Sequence, residues 1–297
     1  MVKQLVSVLI PTNKEKFLTQ TINEVLIKAT GAIEIIVVLD GYWPHELDQE
    51  WQQTIVDDSR VHYIHFSNRQ GMRAGINAAA AVSTGEYLLK LDGHCMLEKG
   101  FDEVLKADCE DNWVVIPRRY RLDAENWQLT EFNKPPIDYE YLNWPKSNPQ
   151  EIGLHGNIWD KRTVQRMDNP EYLIDENMSF QGSCWFMKRS HFEWLGGLSE
   201  VGYETFVQEA QEIGLKTWLG GGKVMTNKKT WYAHLHKGKK YGRGYFIDKK
   251  EMIRGRDFSV NYWMNNQWPE RIHDIEWLIE RFWPVPTWPE DRVLWSL

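Results

Sequence analysis

Four short apolar runs alternate with helix-patterned stretches in the first third of the chain, and this alternation restricts the fold more than any other feature. The runs are Leu5–Ile10, Ile33–Leu39, Val61–Phe66 and Tyr87–Leu91. Between them Phe17, Ile22, Val25 and Leu26 recur at helical spacing, residues 42–55 read as a second helix, and the alanine-rich stretch 71–82 reads as a third. Parallel strands need crossover connections of this kind, so a parallel sheet flanked by helices is expected. Ligands on such sheets gather beyond the carboxyl ends of the strands. Asp40 closes the second run and Asp92 the fourth, which places both at that edge.

Directly after Leu91 come Asp92, Gly93 and His94. If the backbone stays extended, side chains at i and i+2 point the same way, so Asp92 and His94 can converge on one ion or ligand. Taken alone, a polar strand exit is the plainer explanation of so short a pattern.

Further along, 100–107 reads as a helix and Trp113–Pro117 as a strand, whereas 118–175, rich in proline, reads as irregular with a strand or two. Phe180–Met187 regains strand character, and 191–195 forms a short helix. A helix over 207–216 is stopped by Gly220, Gly221 and Gly222, and two separate strand-like pieces follow, Val224–Met225 and Thr230–Ala233. Residues 237–256 carry eight Lys or Arg against two acids, with glycine at 238, 242, 244 and 255. A flexible loop closing over phosphates and a solvated basic surface both fit that run. In the tail, Trp and Pro recur around a helix expected over 271–282, which packs it on the body.

The net charge of −7 argues against nucleic-acid binding driven by overall charge, although the basic run leaves a local patch open. Sixteen Trp serve equally as core material or as stacking platforms. Three Cys without paired spacing fit free thiols in a reducing compartment. The run Leu5–Ile10 is too short to span a membrane and lacks a signal-peptide cleavage pattern, so a cytoplasmic protein is expected.

Three blocks carry a family resemblance. The first runs from Arg69-Gln-Gly-Met-Arg73-Ala-Gly75-Ile-Asn77 to Leu91-Asp92-Gly93-His94-Cys95; the second is Glu209-Ala-Gln-Glu212-Ile-Gly-Leu-Lys216-Thr-Trp218-Leu-Gly-Gly221; the third is the spacing from Trp218 to His234. Together they resemble glycosyltransferases of the GT-A fold, in particular family 2 enzymes and the polypeptide N-acetylgalactosaminyltransferases, whose corresponding strand ends in D-x-H-C. The likeness covers residues 5–236. It implies an α/β domain with a mixed, mainly parallel sheet over 1–236, followed by a basic lid loop and Trp-rich helical extension over 237–297 packed on the same domain.

The resemblance also implies a sugar transferase using a nucleoside diphosphate sugar, UDP above all, and a divalent ion, Mn2+ or Mg2+. Asp92, His94 and His234 are its implied metal ligands. His236 competes with His234, since the two imidazoles share one strand face. Pro11, Thr12, Asp40 and Arg73 are implied at the nucleotide, Gly93 beside the metal, and Gln181 with Gly182 at a small-residue turn near the donor sugar. Lys237, Lys239, Tyr241 and Arg243 follow the third ligand as a lid over the diphosphate. Glu209 and Glu212, three apart on a helix face, form an acceptor-side pair. Ala210 stands where family 2 enzymes usually carry the base Asp, so inversion and retention both stay open. Trp185 is a core residue or a stacking platform.

The acceptor hydroxyl is left open among a glycan, a protein side chain and a hydroxymethylated DNA base. A nucleotidyltransferase of the same fold is disfavoured because 11–15 is not a Gly-rich pyrophosphate loop. A non-catalytic sugar-nucleotide binding module is disfavoured by the intact acids and imidazoles.

Overall fold

The computed structural model describes residues 1–44, 55–148, 150, 152–204, 206–243, 246 and 248–295. Its strands are β1 (Val2–Thr12), β2 (Ile33–Asp40), β3 (Val61–Phe66), β4 (Gly85–Leu91), β5 (Cys95–Leu97), β6 (Trp113–Asp123), β7 (Gln128–Thr130), β8 (Glu140–Leu142), β9 (Gly156–Ile158), β10 (Ile174–Glu176), β11 (Cys184–Lys188) and β12 (Lys223–His234). The helices are α1 (Leu18–Lys28), α2 (Met72–Val82), α3 (Phe101–Ala107), α4 (Asp160–Arg166), α5 (Arg189–Trp194), α6 (Glu209–Leu219), α7 (Gly238–Tyr241), α8 (Lys249–Met264) and α9 (Ile275–Phe282).

Among the described residues the main sheet runs β10-β12-β6-β11-β4-β1-β2-β3, with β5 added to β12 and β7 to β6. The half built from β3, β2, β1 and β4 is parallel, as the alternating runs require. β11 enters antiparallel between β4 and β6, and β12 lies parallel to β6. Neighbouring strand residues divide between two cores. Leu9, Ile36, Val38 and Leu88 face one side, while Val8, Ile10, Ile35, Val37 and Leu89 face the other. A strand buried on both faces reads as a continuous apolar run. Each such side chain, fully buried, contributes about 2 kcal/mol of transfer free energy.

Several elements depart from the sequence expectation. The expected helix over 42–55 falls mostly on 45–54, outside the described residues. The stretch 118–175 is more ordered than expected: β6 continues to Asp123 and is followed by β7, β8, β9, α4 and β10. The two strand-like pieces after Gly222 are one strand, β12, whose register with β6 shifts between Asn227 and Trp231. That bulge carries Lys228 and Lys229, which mimic a loop. The second half of the basic run is helical from Lys249, and the tail helix starts only at Ile275. Trp263, Trp268, Trp288 and Trp295 of the tail are buried in the same core as β4 and β11, which ties the extension to the sheet.

Candidate functional site

The carboxyl edge of the parallel strands opens onto a cleft of about 1070 Å3. Its centre is set by strand register. β4 ends at Leu91, residues 92–94 turn, and β5 starts at Cys95, paired with His234 of β12. The expected extended Asp92–His94 backbone is therefore a turn. Leu235 N donates to His94 O at 3.2 Å, which locks His94 beside the end of β12.

Here the two imidazoles meet: His94 Nε2 lies 3.0 Å from His234 Nε2. Asp92 Oδ2 is 3.3 Å from His234 Nε2 and 3.9 Å from His94 Nε2. Among the described residues, these three are the group able to share a metal ion, with ligand atoms within 4.8 Å of one another. His236 lines the cleft outside that group, its ring centroid 5.1 Å from that of His234.

Surrounding groups set the electrostatics of this trio. Glu15 Oε2 lies 3.0 Å from His94 Nδ1, a carboxylate placed to accept a hydrogen from that nitrogen and so to turn Nε2 toward the cleft. Burial drives the His234 pKa down to about 3, against the opposing pull of Asp92, so that ring is neutral and able to ligate. Burial alone would raise the Asp92 pKa, but the Lys90 ammonium and the two imidazoles hold it well below the usual carboxylate range. One ionised carboxylate with two imidazoles suits Mn2+.

Beneath the trio sits a residue the sequence reading passed over. Lys90 is 1% exposed, and its Nζ lies 2.5 Å from both Asp92 Oδ1 and Gly182 O and 3.5 Å from Glu209 Oε2. A lysine inside the otherwise apolar Tyr87–Leu91 run was the available signal. Glu209 opens α6 with Oε1 accepting from Trp185 Nε1 at 2.7 Å. Trp185 is fully buried and stacked on Phe192, which makes it a core residue that also orients the acid. Burial raises the Glu209 pKa, and Lys90 opposes that rise. A Cβ on Gly182 would stand 2.7 Å from Glu209 Oε2, so only glycine lets the turn pass this close.

At the other end of the cleft, Pro11 and Thr12 finish β1, and Thr12 Oγ1 donates to Val38 O at 2.9 Å. Asp40 accepts from Gln70 N at 2.6 Å and Gly71 N at 2.9 Å, fastening the loop that leads into α2. Gly93 and Gln181 also line the cleft, and Gln181 Oε1 accepts from Arg119 Nη1 at 2.5 Å. From the basic run, Lys237 and Arg243 face the cleft, while Tyr241 packs edge-on against Phe17 away from its lining. Lys237 Nζ meets Glu15 Oε2 at 2.5 Å. The side chain of Lys239 lies outside the described residues.

Arg73 and Glu212 are not brought to the cleft. They form a buried ion pair, and Arg73 also donates to Ser199 O at 3.1 Å and Val207 O at 2.5 Å. Glu212 accepts from Ser199 N at 2.9 Å and lies 2.7 Å from Lys216 Nζ. The expectation that Glu209 and Glu212 share a face rested on their spacing of three residues. Ten residues of α6, from Glu209 to Leu219, are buried, so adjacent faces meet different surroundings, the cleft for Glu209 and the 199–207 segment for Glu212.

Comparison with known proteins follows this geometry. Residues 7–196 match the profile of glycosyl transferase family 2. The chain is 27% identical over 244 residues to polypeptide N-acetylgalactosaminyltransferase 3 of Mus musculus, covering 78% of this chain and 37% of the relative. It is 28% identical over 190 residues to glycosyltransferase GlyG of Streptococcus pneumoniae, covering 64% and 54%. The chain thus spans little more than a third of the first relative's length. In fold it is similar to GalNAc-T7 solved with UDP, GalNAc and Mn2+, with TM-score 0.67, 17% identity, and 88% of this chain aligned to 49% of that one. It is also similar to Staphylococcus aureus TarS 1–349 with UDP-GlcNAc, with TM-score 0.53, 13% identity and coverage of 89% and 68%.

Proposed function

The chain belongs to glycosyl transferase family 2, and from that premise we propose that it moves a sugar from a UDP-sugar to an acceptor hydroxyl with Mn2+ held by Asp92, His94 and His234. The observation that carries this reading is the convergence of those three side chains at the centre of a cleft whose rim supplies Lys237 and Arg243. A bound divalent ion supplies Lewis-acid stabilisation of charge growing on a departing diphosphate.

The remaining work belongs to the protein. Lys237 and Arg243 face the same region and neutralise phosphate charge. Pro11, Thr12 and Asp40 wall the end where a nucleoside fits. Glu209, pinned by Trp185 and raised in pKa by burial, orients or accepts a proton from a hydroxyl beside Gly182. Lys90 keeps Asp92 ionised and holds Glu209 at the turn. Arg73 and Glu212 act as positioning residues that hold the 199–207 segment against α6.

No helix among the described residues is long and apolar enough to cross a membrane. The three cysteines are free and buried, which supports a reducing, cytoplasmic setting. The reading is tested by incubating the protein with a panel of UDP- and GDP-sugars and Mn2+ and measuring nucleotide release. Release from one donor only when Mn2+ is present is expected. No release and no thermal shift with any donor would overturn it.

A further inference from the structure

The basic stretch divides between two places, and the cleft accounts for one of them. Lys237 and Arg243 line the cleft, whereas Lys249, Lys250 and Arg254 are exposed on α8. We propose that this face of α8, together with Phe246 at the lip of the cleft, is a docking surface for a single nucleic-acid strand.

The orientation of α8 is fixed by its packing. A Cβ on Gly255 would lie 2.4 Å from Val207 Cγ2 and 2.7 Å from Tyr203 O, so the helix sits directly on the 203–207 backbone. Ser259 Oγ donates to Gln208 Oε1 at 3.1 Å, and Trp263 Nε1 donates to Tyr203 Oη at 2.7 Å. Gln208 lines the cleft and Glu209 follows it, which seats α8 at the cleft wall. With Gly255, Ser259, Val260 and Trp263 buried on that side, Lys249, Lys250, Ile253 and Arg254 are held in solvent.

Charge is segregated onto this face. Residues 237–256 hold eight of the chain's 35 Lys and Arg but two of its 42 Asp and Glu, so the remainder of the chain is strongly acidic. Such segregation creates a local positive field that the net charge conceals. The Lys249 and Lys250 ammonium groups have no hydrogen-bond or ion-pair partner among the described residues. Arg254 makes an exposed pair with Glu204, Nε to Oε1 at 2.9 Å, a contact too weak to withhold the guanidinium from a phosphate.

Two further features select the partner. Phe246 is 79% exposed and lines the cleft, its carbonyl accepting from Arg69 Nη1 at 2.7 Å. An exposed ring among cations matches the way single strands are held, with cations along the backbone and an aromatic face under a base. Lys250 and Arg254 are four residues apart, about 6 Å along the helix, a step suited to successive phosphates of an extended strand. An anionic membrane fits less well, because a helix that lies in a bilayer surface must lend its apolar face to lipid, and that face of α8 is spent on Tyr203 and Val207.

The experiment is fluorescence anisotropy with a labelled oligodeoxythymidylate about 12 nucleotides long, titrated with the full chain from about 50 to about 200 mM salt. Competitors are a DNA duplex of the same length, polygalacturonate, polyglutamate and phosphatidylglycerol vesicles. The parent is expected to bind the oligonucleotide with a log–log salt slope of about −2, as three engaged phosphates require. Lys249→Glu/Lys250→Glu should weaken it at least about tenfold and flatten the slope by about 1 or more. Acidic residues suit the first turn of a helix, so this variant keeps the fold, which its melting temperature checks. Phe246→Ala should weaken binding about tenfold at an unchanged slope, the signature of a lost stacking contact. No oligonucleotide binding at about 50 mM salt, parent-like binding by either variant, or tighter binding of the duplex, polygalacturonate, polyglutamate or vesicles overturns the proposal.

Discussion

His94 and His234, 140 positions apart in the chain, bring their Nε2 atoms to 3.0 Å because β5 pairs with β12 in the register that sets Cys95 opposite His234. Two imidazole nitrogens and Asp92 Oδ2 around one point are costly to hold together unless a proton or a cation is shared among them. The consequences are open to measurement.

Lys90→Met keeps the volume of the side chain and removes the cation between Asp92 and Glu209. Breaking a buried ion pair from one side is expected to cost about 3 kcal/mol. Turnover should fall with it, and the double variant Lys90→Met/Glu209→Gln should regain stability without regaining activity. Urea midpoints and donor turnover check both halves.

Glu212→Gln should behave differently, because Glu212 bonds Arg73, Ser199 and Lys216 away from the cleft. A loss of about 3 kcal/mol in stability is expected, with the donor KM of the folded fraction close to the parent value. A change in KM larger than the change in stability would contradict this placement.

Glu15 joins two functions that substitution should separate. Glu15→Gln weakens the hold on His94 and is expected to lower Mn2+ affinity about tenfold. Lys237→Ala should instead raise the donor KM about tenfold, less so at high salt, with Mn2+ affinity kept. Titrations of metal and donor on each variant distinguish the two effects.

His191 sets a pH dependence apart from the cleft. Burial pushes its pKa from 6.5 down to about 4, with Nε2 3.1 Å from Thr217 Oγ1. Between those values the unfolded chain binds a proton that the native state refuses. Its contribution is therefore complete above pH 6.5 and is lost as pH falls towards 4, by about 3 kcal/mol. His191→Gln should flatten that part of the Tm profile; parallel profiles for parent and variant would contradict it.

The parallel strands were legible because burial on both faces leaves long apolar runs such as Ile33–Leu39, and Asp40 and Asp92 mark where those runs stop. β12 was legible only in pieces, since Lys228 and Lys229 sit on its bulge. α8 was hidden because Gly255 and its many charges dilute a helical apolar stripe, leaving buried Val260 and Trp263 near its end as the anchors. Asp92 and His94 could be named as candidate metal ligands from the sequence, but which later histidine lies beside them depends on the pairing of β5 with β12, and pattern alone does not specify register. Lys90 and Glu15 act through tertiary neighbours, so nothing adjacent in sequence announces them.

The most direct test of the central claim is calorimetric titration of Mn2+, in the presence of UDP, into the parent and into His94→Ala, His234→Ala and His236→Ala. The account predicts that the first two variants lose about 100-fold or more in affinity while His236→Ala binds like the parent. Parent-like Mn2+ binding by His94→Ala and His234→Ala would contradict it.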